Sequence, residues 1–153
     1  MLYPIGIQSF KEIREGGYAY VDKTGLVYQL THSGKYFFLS RPRRFGKSLI
    51  LSTIEAYFEG RKELFEGLAI ADMEKDWNAC PVIHIDINTG LYNSIENLKD
   101  QLEFLLSEQE GKHGLTQVGT QPSQRLESMI KRLAKQTGRN VVVLIDEYDK
   151  PLL

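Results

Sequence analysis

The stretch YFFLSRPRRFGKSLI, residues 36–50, decides the fold of this chain. A hydrophobic run at residues 36–39 predicts a short buried strand, a polar loop follows, and Gly-Lys-Ser opens a helical pattern from Lys47 to about Gly60. In this context Gly-Lys-Ser binds phosphate, because loop amides and the positive end of the helix dipole face the anion. The stretch therefore predicts a Walker A phosphate loop. A chance Gly-Lys-Ser at a helix start is the alternative.

The residues of the predicted loop have separate expected roles in binding ATP. Gly46 lets the backbone come close, Lys47 reaches the β- and γ-phosphates, and the Ser48 hydroxyl ligates Mg²⁺. The general motif begins with glycine, whereas this chain has Arg41 there, so we expect a different loop geometry. The expected nucleotide-binding residues are Arg41, Pro42, Arg43, Arg44, Phe45, Gly46, Lys47, Ser48 and Leu49.

A second signal is VVVLIDEYD, residues 141–149, in which an aliphatic strand ends in Asp-Glu. In this Walker B pattern Asp146 is expected to hold Mg²⁺ through water, and Glu147 to orient and deprotonate the attacking water. Glu147 and Lys47 are thus the expected catalytic residues. An acid directly after the strand aspartate favours the ATPase branch with an additional catalytic glutamate over kinases and GTPases, by fold-level analogy. A solvated turn after a buried strand is the alternative.

The rest of the chain alternates helical and strand patterns, which predicts an α/β fold with a parallel sheet flanked by helices. Ser9 and Asp22 are candidate helix caps, and Pro122 begins a helix that ends at Gly138. The last strand, residues 141–145, is aliphatic throughout and is expected to be buried on both faces. The other predicted elements are helices at residues 9–14, 23–31, 61–65 and 94–109, a strand at 82–87, and an exposed, mobile loop at 110–121.

Composition narrows the class of protein. The chain has 153 residues and a formal net charge of −1, which lacks the overall basic character of a dedicated nucleic-acid binder. Any nucleic-acid contact would need a local basic patch. The single cysteine, Cys80, has no partner for a disulfide within the chain and is interpreted as a buried apolar residue. The start resembles no secretory signal and no stretch has the roughly 18 apolar residues of a membrane span, so the expected location is the cytoplasm.

The same segments resemble the bacterial family called predicted AAA-ATPase, or AAA-ATPase-like. The matching stretches are YVDKT at residues 20–24, FLSRPRRFGKSL at 38–49, PVI at 81–83 and IDEYDKPL at 145–152. In this family arginine replaces the first loop glycine, as Arg41 does here. The resemblance implies an ATP-binding, ATP-hydrolysing domain with Mg²⁺. Family members often carry a second, C-terminal domain similar to the PD-(D/E)XK nucleases, which implies a partner domain that this chain does not include.

The resemblance also implies that a strand beyond Leu153 lies between residues 36–39 and 141–145. Strands pair at about 4.8 Å, so its absence would leave unpaired backbone groups on both neighbours. We therefore expect this chain to be a fragment, truncated after the Walker B strand. Its expected parts are a helical and extended lead-in at residues 1–35 and an incomplete P-loop domain at 36–153.

Further hypotheses concern the loop arginines and Asp86. At least one of Arg41, Arg43 and Arg44 is expected to contact nucleotide or a partner phosphate, with solvated loop charges as the alternative. Asp86 lies near the same sheet edge as Asp146, and a hydrogen-bonded strand end is its favoured reading over a substrate role. The leading function is an ATPase coupled to an effector domain or partner. A non-hydrolysing nucleotide switch and, less favoured, a small-molecule kinase stay open, as does the oligomeric state, a homo-oligomer included.

Overall fold

The computed structural model describes residues 2–40, 46–90 and 92–152, and it describes no side chain for Thr89 and Leu152. Backbone contacts divide the chain into two compact units, Met1–Ala79 and Cys80–Leu153. These units are groups of mutual contacts and do not test the expected domain limits of 1–35 and 36–153, which stay a prediction.

The regular elements described in the first unit are all helical, apart from an isolated bridge between Leu2 and Tyr18. Ser9 caps the first helix, as predicted, because its hydroxyl accepts the Glu12 amide at 3.3 Å. The predicted helix that starts at Lys47 is also confirmed. The helices are α1 (Phe10–Glu15), α2 (Thr24–Ser33), α3 (Lys47–Phe58) and α4 (Ala69–Met73), with a 3₁₀ turn at Lys62–Phe65.

The Asp22 carboxylate bonds to the starts of two helices, whereas the sequence predicts it as a cap of one. One carboxylate oxygen accepts the Thr24 amide at 2.8 Å and the Thr24 hydroxyl at 2.6 Å at the start of α2. The other oxygen accepts the Ala69 amide at 2.7 Å at the start of α4. The fully buried Thr24 hydroxyl accepts the Ile70 amide at 3.2 Å. Asp22 and Thr24 therefore cap two helices at once, and this explains the short α4, which the sequence did not predict.

Aromatic rings fill the core of the first unit. Phe10 and Phe65 are both fully buried, with ring centroids 4.7 Å apart. Trp77 extends this stack, 5.2 Å from Phe65 and 5.8 Å from Tyr57. Because Tyr57 lies on α3, the same core fixes the helix that the phosphate-loop pattern opens.

The strand predicted at residues 36–39 is wrong. These residues have no regular structure, and Tyr36 and Phe38 are 95% and 71% exposed. A strand is stabilised by its hydrogen bonds to a neighbour, and within the described ranges no strand pairs with this segment. The hydrophobic pattern alone could not show that such a partner is missing.

The second unit holds a parallel two-stranded sheet and two long helices, which confirms the α/β class and the parallel pairing. Strands β1 (Val82–Asp86) and β2 (Val142–Asp146) pair in register from Val82 opposite Val142 to Asp86 opposite Asp146. The helices between them are α5 (Ile95–Lys112) and α6 (Pro122–Thr137), and 3₁₀ turns follow the strands at Ile87–Thr89 and Lys150–Leu152. As predicted, Pro122 opens α6, and Gly138 ends it with φ +65°.

The core of the second unit lies between β1 and the two helices. Its buried residues are Ile83, Ile85, Ile87, Leu105, Leu106, Leu115, Met129 and Leu133. Cys80, which precedes β1, is half-buried rather than buried, so its interpretation as a core residue is corrected.

The exposed loop predicted at residues 110–121 is wrong in its first part. Helix α5 continues through Lys112, and Glu110 is 6% exposed. The Arg125 guanidinium on α6 binds both Glu110 carboxylate oxygens, at 3.1 and 2.7 Å. Arg125 is 3% exposed, so this ion pair is buried and holds the end of α5 against α6. The sequence around Glu110 does not show that this residue is buried, because its partner, Arg125, lies fifteen positions away.

The two outer edges of the sheet differ. Side chains of α5 cover the outer edge of β1, where Gln109 Oε1 accepts the His84 amide at 3.1 Å and His113 Nε2 lies 2.9 Å from the Val82 carbonyl oxygen. On β2, Val143 and Ile145 are 36% and 47% exposed. The prediction that this strand is buried on both faces is therefore wrong: Val143 and Ile145 share one face and are exposed, whereas Leu144 and Asp146 on the other face are buried.

Candidate functional site

A glycine in a left-handed conformation stands directly before the N-terminus of α3. Gly46 adopts φ +77° and ψ 24°, a left-handed conformation that side chains disfavour. A Cβ at this position would meet no atom of the described residues within 4 Å, so among them the backbone angle and not crowding calls for glycine. The helix starts at once, since the Ile50 amide donates to the Gly46 carbonyl at 3.0 Å.

The N-cap residue of α3 is Gly46, which has no side chain to cap the first turn. By contrast, Ser9 caps α1, and Ser94 caps α5 with a bond from the Asn97 amide at 3.1 Å. The first amides of a helix have no acceptor within the helix, and the helix dipole makes this end partly positive. A helix start in which glycine is followed by Lys47 and Ser48 therefore fits a phosphate group.

Helix α3 is anchored to its own unit close to this end. The Ser52 hydroxyl accepts the Phe10 amide at 2.9 Å and lies 3.0 Å from the Gln8 carbonyl oxygen. The buried Thr53 hydroxyl donates to the Leu49 carbonyl at 2.7 Å. These bonds fix the first two turns relative to α1, so the helix start is a rigid feature of the first unit.

The expected loop residues are only partly described. Gly46, Lys47, Ser48 and Leu49 stand at the start of α3, where the sequence predicts them. The other expected nucleotide-binding residues, Arg41, Pro42, Arg43, Arg44 and Phe45, lie outside the described residues.

Two aspartates lie opposite each other at the carboxyl edge of the sheet. Asp86 ends β1, Asp146 ends β2, and the two are register partners. Asp146 is 5% exposed, and its Oδ1 accepts the Glu147 amide at 2.9 Å. Asp86 Oδ1 accepts the Asn88 amide at 2.8 Å, which agrees with its favoured reading as a hydrogen-bonded strand end. The carboxyl edge of a parallel sheet is where ligands bind in this fold class.

Glu147 stands directly after β2 in a strained backbone conformation. Its φ is +55°, in the left-handed region. For a residue with a Cβ this conformation costs on the order of 1 kcal/mol. Strain of this kind persists only where surrounding contacts hold it, and it is concentrated at functional sites. The Asp146 carboxylate holds one side of this residue, and the Lys150 amide donates to the Glu147 carbonyl at 3.0 Å on the other.

Two residues that the sequence analysis did not single out, Lys150 and Asn88, join this edge. The Lys150 ammonium donates to the Asn88 carbonyl at 2.5 Å and to its Oδ1 at 2.6 Å. Sixty-two positions separate the two residues, so no local pattern could have paired them. The contact ties the segment after β2 to the turn after β1.

The charge of Asp86 acts on a neighbouring tyrosine. Burial, and after it the negative charge of Asp86, raises the pKa of Tyr92. The phenol therefore stays protonated and donates to the Ile87 carbonyl at 2.7 Å. This bond fixes the first residue of the turn after β1.

The predicted site residues thus form two groups, one in each unit. Gly46 to Leu49 share the start of α3 in the first unit, and Asp146 and Glu147 share the carboxyl edge of the sheet in the second. Within the described ranges no three His, Cys, Asp or Glu side chains form a cluster that could hold a metal ion. The Ser48 hydroxyl in the first unit and the Asp146 carboxylate in the second are each of the ligand type that Mg²⁺ prefers.

Comparison with known families identifies the chain. A family model described as predicted AAA-ATPase matches residues 4–153. The chain belongs to the predicted AAA-ATPase family. This result confirms the resemblance found in the sequence. The family's description indicates a predicted ATPase.

A curated relative of this predicted AAA-ATPase chain is an uncharacterized protein in the vnfD 5′ region of Azotobacter chroococcum mcd 1. The two are 43% identical over 152 residues, which is 98% of this chain and 29% of the relative. The chain therefore spans less than a third of the length of that protein. No solved structure matches this chain. No helix in the described part of the chain has the length and apolar character needed to cross a membrane.

Proposed function

We propose that this predicted AAA-ATPase chain binds ATP with Mg²⁺ and hydrolyses it. The observation that carries the proposal is the start of α3, where left-handed Gly46 leads directly into Lys47 and Ser48. An open helix start with a glycine turn, a cation and a hydroxyl is a set of groups suited to a nucleotide polyphosphate.

In the proposed roles, the first unit binds phosphate. Backbone amides at the start of α3 donate to phosphate oxygens, and the Lys47 ammonium neutralises the β- and γ-phosphates. The Ser48 hydroxyl is the proposed Mg²⁺ ligand of this unit, and Asp146 is that of the second, through water. When bound, the ion supplies positive charge that stabilises the phosphates during transfer. Residues 41–45 belong to the proposal as further phosphate contacts.

Hydrolysis is assigned to the second unit. Glu147 is the proposed general base: it orients a water molecule and takes its proton as the water oxygen attacks the γ-phosphorus and ADP leaves. The positive φ of Glu147 supports this role, because strained backbone conformations are concentrated at functional sites.

We propose that hydrolysis causes a conformational change that is transmitted to an effector domain or partner outside this chain. The Azotobacter relative supports this reading, because 29% of its length corresponds to this chain and the remainder offers room for such a domain. A nuclease-like C-terminal domain is the proposed form, by resemblance to longer family members.

The test is a titration of full-length protein with a fluorescent ATP analogue and Mg²⁺, with phosphate release measured in parallel. Lys47→Ala removes a charged contact worth about 1.5–3 kcal/mol, so affinity is expected to fall about 10- to 100-fold. Glu147→Gln should keep the affinity and lower turnover by about 10² to 10⁴. Lys131→Ala is the matched control, since this lysine is 73% exposed on α6 and should change neither quantity.

Each outcome has a distinct meaning. Unmodified protein that fails to bind ATP, or a Lys47→Ala variant that binds normally, refutes the phosphate-loop assignment. Binding with negligible phosphate release leaves the non-hydrolysing switch as the function. Phosphate transfer to an added acceptor would identify a kinase.

A further inference from the structure

The Lys150 side chain makes an unusually specific contact for a lysine near the surface. Its ammonium donates to two acceptors of one residue, the Asn88 carbonyl at 2.5 Å and Asn88 Oδ1 at 2.6 Å. A lysine loses side-chain entropy when it is held in one geometry, so a two-point contact with neutral acceptors needs a structural context that fixes them. That context lies in the turn after β1.

The acceptor residue is itself fixed. The Asn88 amide donates to Asp86 Oδ1 at 2.8 Å, an Asx turn that sets the backbone of the next residues. The preceding residue, Ile87, is 8% exposed within the hydrophobic core of the second unit, and its carbonyl accepts the Tyr92 hydroxyl at 2.7 Å. Asn88 therefore stands on the rigid end of β1, and Lys150 binds to a fixed point.

At its other end Lys150 is bonded to the strained residue. Its backbone amide donates to the Glu147 carbonyl at 3.0 Å and closes the turn over residues 147–150. Glu147 has φ +55° and gives its own amide to Asp146. If the Lys150 side chain were released, the turn would have one fixed end, at Asp146, and the strained angle at Glu147 would relax.

We propose that Lys150 is a positioning residue for Glu147. By holding Asn88, its side chain keeps the turn over residues 147–150 closed, and the closed turn keeps Glu147 in the one backbone conformation from which its carboxylate is presented at the carboxyl edge of the sheet. This inference rests on the proposed role of Glu147 in ATP hydrolysis and adds a residue to that site.

The kinetic test compares Lys150→Met, Lys150→Arg and Asn88→Ala in full-length protein. Methionine keeps the aliphatic stem and removes the donors, and a misplacement of about 1 Å at a catalytic group costs about 100-fold. We expect kcat to fall by about 10- to 100-fold in Lys150→Met, with KM and the affinity for the ATP analogue within about twofold. Lys150→Arg, which can donate to both acceptors, should recover most of the loss. Asn88→Ala should lower kcat by less, because the backbone carbonyl stays.

Two controls separate positioning from a general loss of structure. Lys131→Met makes the same chemical change at an exposed lysine side chain of α6 and should leave kcat unchanged. In a Glu147→Gln background, Lys150→Met should lower the residual kcat by less than about twofold, because a residue that acts through Glu147 has nothing left to position. An equal loss in both backgrounds, or a loss that appears in KM and not in kcat, would overturn the proposal.

A structural measurement separates this inference from the proposed function. In Lys150→Met, hydrogen exchange at the Glu147 and Lys150 amides should speed up by about tenfold or more, while the Leu144 amide within β2 keeps its rate. Unchanged exchange at residues 147 and 150 refutes the positioning role even where hydrolysis is confirmed. Faster exchange in a protein that hydrolyses no ATP confirms that Lys150 holds the turn and refutes the catalytic use of Glu147.

Discussion

Neutralising the buried carboxylate of Glu110 should destabilise the second unit strongly. In Glu110→Gln the Arg125 guanidinium stays 3% exposed but loses its countercharge and one of its two carboxylate acceptors. It keeps the Ser107 hydroxyl at 2.8 Å and the Glu103 carbonyl at 3.3 Å, both neutral. Breaking one side of a buried ion pair costs about 3–5 kcal/mol. Because glutamine retains one acceptor, we expect the lower end, about 3 kcal/mol.

The assay is urea unfolding followed by circular dichroism, with the slope of the transition checked for constancy. Arg125→Met should also destabilise the unit, since it leaves the carboxylate buried. The double variant should cost less than the sum of the single changes by about 1–3 kcal/mol, the coupling expected of contacting residues. The control is the pair of Lys131 and Glu127 on α6, with side chains 73% and 65% exposed, where Lys131→Met should cost less than about 0.5 kcal/mol.

A loss below about 1 kcal/mol in Glu110→Gln, in the range of surface pairs, would refute this reasoning. So would additive single and double changes. Either result would mean that water reaches the guanidinium and that the end of α5 is not held by this pair.

Two further changes test single backbone features. Gly46→Ala places a Cβ at φ +77°, so we expect a loss of about 1–2 kcal/mol in stability and weaker binding of the ATP analogue, measured by urea unfolding and titration. Unchanged affinity would show that the left-handed turn is not needed for phosphate. Asp22→Ala removes the bonds that start α2 and α4 and should cost about 1–2 kcal/mol. Burial works to raise the pKa of Asp22, but the hydrogen bonds from the Thr24 side chain and the Ala69 amide outweigh it and hold this pKa below its usual value. The stabilisation is therefore present above the unfolded pKa, about 3.9, and is lost as pH falls through the lower folded value. Urea unfolding at pH 6 and at pH 2.5 should show a smaller pH effect in Asp22→Ala than in the unmodified protein, and an equal effect would refute the assignment.

The sequence predicted those elements whose causes are local. Ser9 caps its helix from the neighbouring position, Pro122 and Gly138 bound α6, and the Gly-Lys-Ser pattern opens α3 at Lys47. Periodicity and capping depend on residues within one or two turns, so they can be read without a fold. The family resemblance and the parallel pairing of the two aliphatic segments are confirmed in the same way, from contiguous stretches.

The elements that the sequence missed depend on distant partners. The run at residues 36–39 has the composition of a strand, but strand formation needs a neighbour to bond. Val143 and Ile145 are as apolar as the buried residues of β1, and they are exposed because described residues do not cover that face of β2 as they cover Ile83 and Ile85. Glu110 is buried because Arg125 reaches it, and α4 begins where Asp22, forty-seven residues earlier, accepts its first amide.

Short contiguous patterns were enough to predict the starts of α1, α3 and α6, the strands β1 and β2, and the family. Which charges are buried, which sheet edge is covered, and how Lys150 holds the turn that carries Glu147 are seen only in the folded chain. These features join residues 15 to 62 positions apart. Their energies depend on burial and distance in space, which no local pattern records.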